Sequence, residues 1–395
     1  MSFEHSEFQK LLIRFAKSGI QRNFKVYQDD LVEDMAKVFE SYIAMIEKFL
    51  KEQNNISDSE LYYKINNNLP FIKSLSKAIK ESTVNFLSGN IRQAYNTFSE
   101  ILDNSIIRNC LQYLTKDLSH WSNMKQALFR VRVSDTPITN REDMFHIPFA
   151  KRSLVKTQRY SVEGLPCLYL GTSLYICWQE LGTPDLDKLY ISAFRTSHEA
   201  KGLGILDLAY TLDSLRDQET NLFKIFDDVN ENDADIQSAY LTLWPLVIAC
   251  SYVKKERTAS FNPEYIIPNL LMQKISSDRE MNISGIAYYS TKSDKIDSDR
   301  FGVNIVIPPK SNYKEMTSFN FCSHLCQSMT STNPISWSLL STLKFNTEIK
   351  NEITDKDIED IYTTLIKSYG ATEFNLLEHK ISQHFKFSSI KNPTN

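Results

Sequence analysis

Glycine is scarce in this chain, at 10 of 395 residues, and neither GxGxxG nor GxxxxGK followed by Ser or Thr occurs. Both motifs need glycine so that backbone N–H groups can approach a phosphate, and their absence argues against Rossmann and P-loop chemistry. Any bound nucleotide must therefore be held by side chains. Cysteine is sparse too: Cys110, Cys167, Cys177, Cys250, Cys322 and Cys326 are scattered. Cys322 and Cys326 flank His324, but no second pair stands at zinc-finger spacing, so both are expected in the core. No acidic cluster suggests a catalytic metal, and none is expected. Net charge is small as well. The 45 basic and 48 acidic residues leave −3, which gives no overall attraction to nucleic acid or membranes. A basic-then-apolar leader is missing, and the longest apolar run, 241–253, is interrupted by Pro245. Together these absences describe a reduced, soluble, cytoplasmic protein.

What is present is ample core material, 42% hydrophobic and 12% aromatic residues, in a length that suits two to three domains. Residues 1–120 read as an all-α bundle serving regulation or assembly. Leu31, Met35, Val38, Phe39, Tyr42, Ile46 and Phe49 recur at helical steps after Asp30. A second helix is expected from Pro70 to Gly89, and Asn90 is placed to cap a third carrying Ile91, Ala94, Tyr95, Phe98 and Ile101. The texture changes after Trp121. Strands are predicted at 128–133, 167–170, 189–194, 203–206, 285–289 and 303–307, with helices at 173–181, 235–254 and 264–275. This irregular alternation predicts an α+β domain over 121–315. A polar loop is expected at 291–300, and a mainly helical extension over 316–395, with a helix at 355–368 and a frayed end from 388.

The densest chemical signal is Arg159-Tyr160-Ser161, then Gly164-Leu165-Pro166, Leu168-Tyr169-Leu170-Gly171, Ser173 and Glu180. Arginine, tyrosine and glutamate follow one another at intervals of 10 and 11 residues. The fork of donors on Arg159 fits a pyrophosphate, against the competing reading of a structural ion pair. Tyr169 offers a ring to nicotinamide or to a developing positive charge, against that of a core tyrosine. Glu180, on a helix capped by Ser173, can stabilise an oxocarbenium ion or hold ribose hydroxyls, against that of a solvated flank residue. Ser290, at a strand end, lacks a GxSxG elbow and suits a ligand hydrogen bond better than nucleophilic attack. Arg130 and Arg132 share a strand face and compete for one anion-binding role. His146 precedes the arginine block, where it lines the same pocket or serves packing.

These blocks resemble the RES domain, named for its arginine, glutamate and serine. The match runs through Phe129-Arg130, the Arg159 and Tyr169 blocks, Glu180, Glu264-Tyr265-Ile266-Ile267-Pro268, Gly285-Ile286-Ala287-Tyr288-Tyr289-Ser290 and Gly302-Val303-Asn304. It covers about 126–310 of the sequence. The resemblance implies an ADP-ribosyltransferase-like mixed-sheet fold that binds NAD as substrate, without a metal. It implies catalytic roles for Arg159, Tyr169, Glu180 and Ser290, and NAD contacts from Arg130, His146, Tyr160, Ser161 and Asn304. Members of that family cleave the nicotinamide–ribose bond and pass ADP-ribose to inorganic phosphate, water or a protein. They act as toxins, or by extension in anti-phage defence, and are commonly restrained by a separate antitoxin. A protein ADP-ribosyltransferase and a silent NAD sensor are the competing expectations, and a homo-oligomer is compatible with the helical N-terminus.

Overall fold

A computed structural model describes the chain except for residues 1–6, 19–25, 54–58, 124–125, 198–201, 213–214, 216–233, 257, 292–301, 344–368, 370–371 and 394–395. The expected loop at 291–300, apart from Thr291, and the expected helix at 355–368 lie outside the described residues. The chain divides into two units, each drawn from separated stretches of sequence. The first comprises Met1–Lys116, Gln158–Tyr160 and Leu206–Met281; the second comprises Asp117–Thr157, Ser161–Ile205 and Asn282–Asn395. The expected succession of blocks at 1–120, 121–315 and 316–395 therefore gives way to an interleaved arrangement.

Helix Ala234–Ser251 accounts for part of that difference. Every residue from Gln237 to Ser251 is buried, so this helix must be surrounded by partners. It finds them in the N-terminal helices Leu31–Gln53, Glu60–Leu87 and Ser105–Tyr113. The Tyr42 hydroxyl donates to the Leu241 carbonyl at 2.7 Å, and its ring stacks on Trp244 at 4.2 Å. Local capping follows the sequence closely. Asp30 accepts from the Glu33 amide at 2.8 Å, and Gly89, at φ +82°, closes helix Glu60–Leu87. That helix starts ten residues earlier than Pro70 suggests, because Ser59 caps it and Pro70 is accommodated inside. No helix among the described residues is long and apolar enough to cross a membrane.

The strands in chain order are β1 (Thr115–Asp117), β2 (Leu128–Val133), β3 (Leu168–Gly171), β4 (Leu189–Thr196), β5 (Gly204–Asp207), β6 (Gly285–Tyr289), β7 (Val303–Ile307), β8 (Met329–Ser331), β9 (Ile335–Ser336) and β10 (Ser388–Ser389). Within the second unit they run β6-β7-β3-β2-β4-β8-β10, with β9 also on β4. Partners in these ladders are antiparallel. The ladders are unequal. β2 and β4 match over six residue pairs and β3 and β7 over four, but β2 meets β3 only at Phe129 and Gly171.

One sheet face is apolar around Phe129, Val131, Ile191 and Ala193. Leu174, Trp337, Leu340, Leu377 and Ile381 cover it from the helices Leu174–Glu180, Trp337–Thr342 and Glu373–His384. The segment expected to be mainly helical thus contributes three strands as well. Nor are residues 388–393 frayed: Ser388 pairs with Ser331, Ile390 is buried, and Asn392 donates to the Phe321 carbonyl at 2.9 Å.

Candidate functional site

The short helix Leu174–Glu180 follows directly on β3 and lies close against it. A Cβ on Gly171 would stand 2.5 Å from Ile176 Cγ2 and 2.7 Å from Cys177 Sγ, so glycine is required there. Ser173 caps the helix by accepting from the Ile176 amide at 3.1 Å, and the Cys177 thiol donates to the Phe129 carbonyl at 3.3 Å. The far end of the helix turns Glu180 back over the sheet. There the Asn304 side-chain amide donates to Glu180 Oε1 at 2.7 Å.

Paired residues of an antiparallel ladder share a face. Asn304 pairs with Gly171 on one side and Tyr288 on the other, while Tyr169 pairs with Val306. Alternation therefore puts Tyr169, Asn304 and Tyr288 on the face covered by the Glu180 helix. Ser290 follows β6 directly and is buried. Of the residues singled out in the sequence, these are the ones the fold gathers: Tyr169, Glu180 and Asn304, with Ser290 at the adjoining strand end.

Arg130 goes elsewhere. It pairs with Ser192 and so projects from the opposite face to Phe129, one residue past the only β2–β3 match. Its Nη1 is enclosed and has no hydrogen-bond partner. Burial, and after it the like charge of Arg132, lowers its pKa well below the usual arginine range. Arg132, its rival for the anion-binding role, donates from Nη2 to the Phe145 carbonyl at 3.0 Å.

His146 lies on that side of the sheet, fully buried among Phe145, Phe149 and Phe321. Nε2 accepts from the Cys322 amide at 3.0 Å, which leaves Nδ1 to donate to the Ile147 carbonyl at 2.8 Å. Burial drives its pKa down to about 4, so the ring is neutral. Both nitrogens serve the chain itself, and the expected NAD contact is replaced by packing.

The arginine block is also structural. Arg159 and Tyr160 belong to the first unit. Arg159 Nη1 donates to the Cys250 carbonyl and Nη2 to the Tyr252 carbonyl, each at 2.8 Å, where helix Ala234–Ser251 ends. Its guanidinium lies 4.9 Å from the centre of the Tyr265 ring. The cation thus neutralises a helix C-terminus, in place of the expected pyrophosphate. Tyr160 is buried with its hydroxyl against the Cys250 thiol, whose pKa burial pushes up to about 12. In the second unit, Ser161 Oγ donates to the Leu165 carbonyl at 2.8 Å and shapes the turn before β3. Neither presents the NAD contact the resemblance implied.

One residue of the site's surroundings went unnoticed in the sequence. Glu378 is half-buried beneath the Glu180 helix, where Oε1 accepts from the Leu174 amide at 2.5 Å and from the Tyr369 hydroxyl. It stands 204 residues from Leu174, and nothing local marks it apart from its neighbours on an amphipathic helix. Among the described residues no three His, Cys, Asp or Glu side chains lie together as metal ligands would.

No family model matches the chain, and no solved structure matches it. A Bacillus subtilis (strain 168) protein named "Putative toxin YopC" is 32% identical over 337 residues, 82% of this chain and 71% of that protein. At that identity and coverage of both chains, this mixed helix-and-sheet protein belongs to the same family as that Bacillus subtilis protein.

Proposed function

We propose that the chain is a toxin that cleaves the nicotinamide–ribose bond of NAD, and that its second unit is an RES-type, ADP-ribosyltransferase-like catalytic domain. The observation that carries this reading is the contact between Asn304 and Glu180. It joins two of the motif blocks, 124 residues apart, on the sheet face that also holds Tyr169. The name of the YopC relative supports the toxic role.

NAD already carries a good leaving group. When the C1′–N bond breaks, its electron pair neutralises the nicotinamide ring and the ribose becomes cationic. What a protein must add is a fixed negative group and an aromatic face near that carbon. Glu180 supplies the first, oriented by Asn304, and Tyr169 the second. Ser290 offers a hydroxyl to the ribose, while Arg130, on the other face of the sheet, is a separate candidate for an oxyanion. Water or inorganic phosphate then takes up the ADP-ribose. A separate neutralising protein is the expected partner, and the helical unit a candidate for restraint or oligomerisation.

The test is nicotinamide release by the full-length protein from NAD, with and without phosphate, with products identified by mass spectrometry. Phosphorylated ADP-ribose would identify a phosphorylase, and free ADP-ribose a glycohydrolase. ADP-ribose retained on a macromolecule would identify a protein-modifying transferase. Glu180→Ala should lower release about 100-fold or more, the scale of losing one preorganised electrostatic group. Equal release from Glu180→Ala, or binding of NAD without any turnover, would overturn the proposal.

A further inference from the structure

Helix Leu174–Glu180 has only seven residues, too few to hold its own shape or direction in water. Its orientation therefore depends on what fixes its ends. At one end, the C-terminal segment supplies the fixing. Glu378 accepts from the amide of Leu174, the first helical residue, and from the Tyr369 hydroxyl. Tyr369 also lies beside the side chain of Ser173, the cap of the same helix. Next to Glu378, Leu377 packs in the core that includes Leu174, so carboxylate and apolar contact secure the same turn. At the other end lies Glu180. Seven residues span about 10 Å, so a tilt of about 10° at the first turn displaces the far end by about 2 Å. Displacements of about 1 Å can cost about 100-fold in rate.

We propose that Glu378 is a positioning residue: by fixing the first turn of helix Leu174–Glu180 it sets the Glu180 carboxylate against Asn304. The catalytic consequence rests on the reading of Glu180 given above; the positioning itself does not. Glu378 faces two titratable groups, Tyr369 and the Cys177 thiol, and no ion pair reaches it among the described residues. Burial pushes its carboxyl up to about 8, against the pull of Tyr369 and the Leu174 amide. Below that pH the group is neutral and its carbonyl oxygen accepts both bonds. An opened, solvated carboxyl loses its proton from about 4.5 upward, so opening becomes easier as pH rises to about 8 and levels off above it.

The experiment compares full-length protein with Glu378→Gln and Glu378→Ala. It follows kcat and KM for nicotinamide release from pH 6 to 9, and hydrogen exchange across 168–181. Glu378→Ala should lower kcat about tenfold or more, with KM within about threefold, and should speed exchange in the helix. Glu378→Gln keeps the acceptor oxygen, so it should hold near wild-type kcat at pH 6 and lose the decline between pH 6 and 8. A folded Glu378→Ala with wild-type kcat and exchange would overturn the proposal. If wild type releases no nicotinamide, the NAD reading fails on its own and exchange decides this one: faster in Ala but not Gln upholds it, and equal rates overturn it. If Glu378→Ala does not fold, wild type and Glu378→Gln are compared from pH 6 to 8, where only wild type should loosen as pH rises. Loosening in both, or in neither, would overturn it.

Discussion

Two arginines with enclosed guanidinium nitrogens, one in each unit, show how differently the same side chain can be used. Arg159 sits where a helix ends, gives both Nη groups to carbonyls, and lies over a tyrosine ring. Arg130 sits where two strands part, with Nη1 enclosed and unpaired and a second arginine beside it. Buried polar groups are costly unless they are hydrogen-bonded. An arginine that meets this demand within its own chain belongs to the architecture. One that does not is where an incoming oxyanion gains most, because it removes a penalty the fold already carries.

The sharpest way to break this comparison is Arg159→Ala. It removes two charge-assisted bonds worth about 1.5–3 kcal/mol each and strands two buried carbonyls. Stability should fall by about 3–5 kcal/mol in chemical denaturation, with Arg159→Lys recovering only part. An Arg159→Ala protein of wild-type stability that no longer binds NAD would make Arg159 the ligand clamp after all.

Two titratable groups of the second unit, His146 buried and Glu378 half-buried, sharpen the contrast between satisfied and costly burial through opposite pH slopes. His146 titrates near 4 when folded and near 6.5 when unfolded. Between those values only the unfolded chain takes up a proton, so stability falls as pH drops through that window, by about 3 kcal/mol in all. Glu378 titrates near 8 when folded, against 4.5 for an exposed glutamate. Between 4.5 and 8 only the unfolded chain has lost its proton, so stability falls as pH rises, by about 3 kcal/mol at pH 7. Denaturation midpoints across pH 4–8 should show the acid slope vanish in His146→Phe and the alkaline slope vanish in Glu378→Gln. A slope that survives its substitution would place the titration elsewhere.

These contrasts also mark how far the sequence could be read. Strand β2 stands where its alternation placed it, β6 and β7 stand where their strand-like runs did, and Asp30, Ser173 and Gly89 end helices as their chemistry requires. Such features rest on interactions within a few residues. The role of Arg159 rests on carbonyls 91 and 93 residues away, and Glu378 on an amide 204 residues away, so neither could be seen locally. The contact of Glu180 with Asn304 is equally remote, yet the motif blocks had already put both residues under suspicion. The two-residue strands β9 and β10 are too short for any alternation to register. Gly171 lies between these cases: its motif position was visible, while the helix packed against it was not. Gly171→Ala should cost about 1–3 kcal/mol through its contacts with Ile176 and Cys177, read as a lowered denaturation midpoint.

The smallest expected effect on stability carries the most weight for the comparison, because its sign is reversed. Arg130→Met keeps the apolar bulk of the side chain and removes an enclosed cation that has a neighbouring cation and an unpaired Nη1. Replacing such a charge by a hydrophobic group of similar volume should leave stability unchanged or raise it by about 1 kcal/mol. Arg159 substitution, by the same logic, can only lower it. The two variants should diverge again when an oxyanion is added. Phosphate or pyrophosphate that binds the folded state stabilises it in proportion to the logarithm of its concentration over Kd. Thermal midpoints should therefore rise with pyrophosphate in wild type and stay flat in Arg130→Met. A loss of more than about 2 kcal/mol in Arg130→Met, with the pyrophosphate response intact, would mean that Arg130 is as architectural as Arg159. The unpaired Nη1 would then be a cost of folding with no ligand behind it.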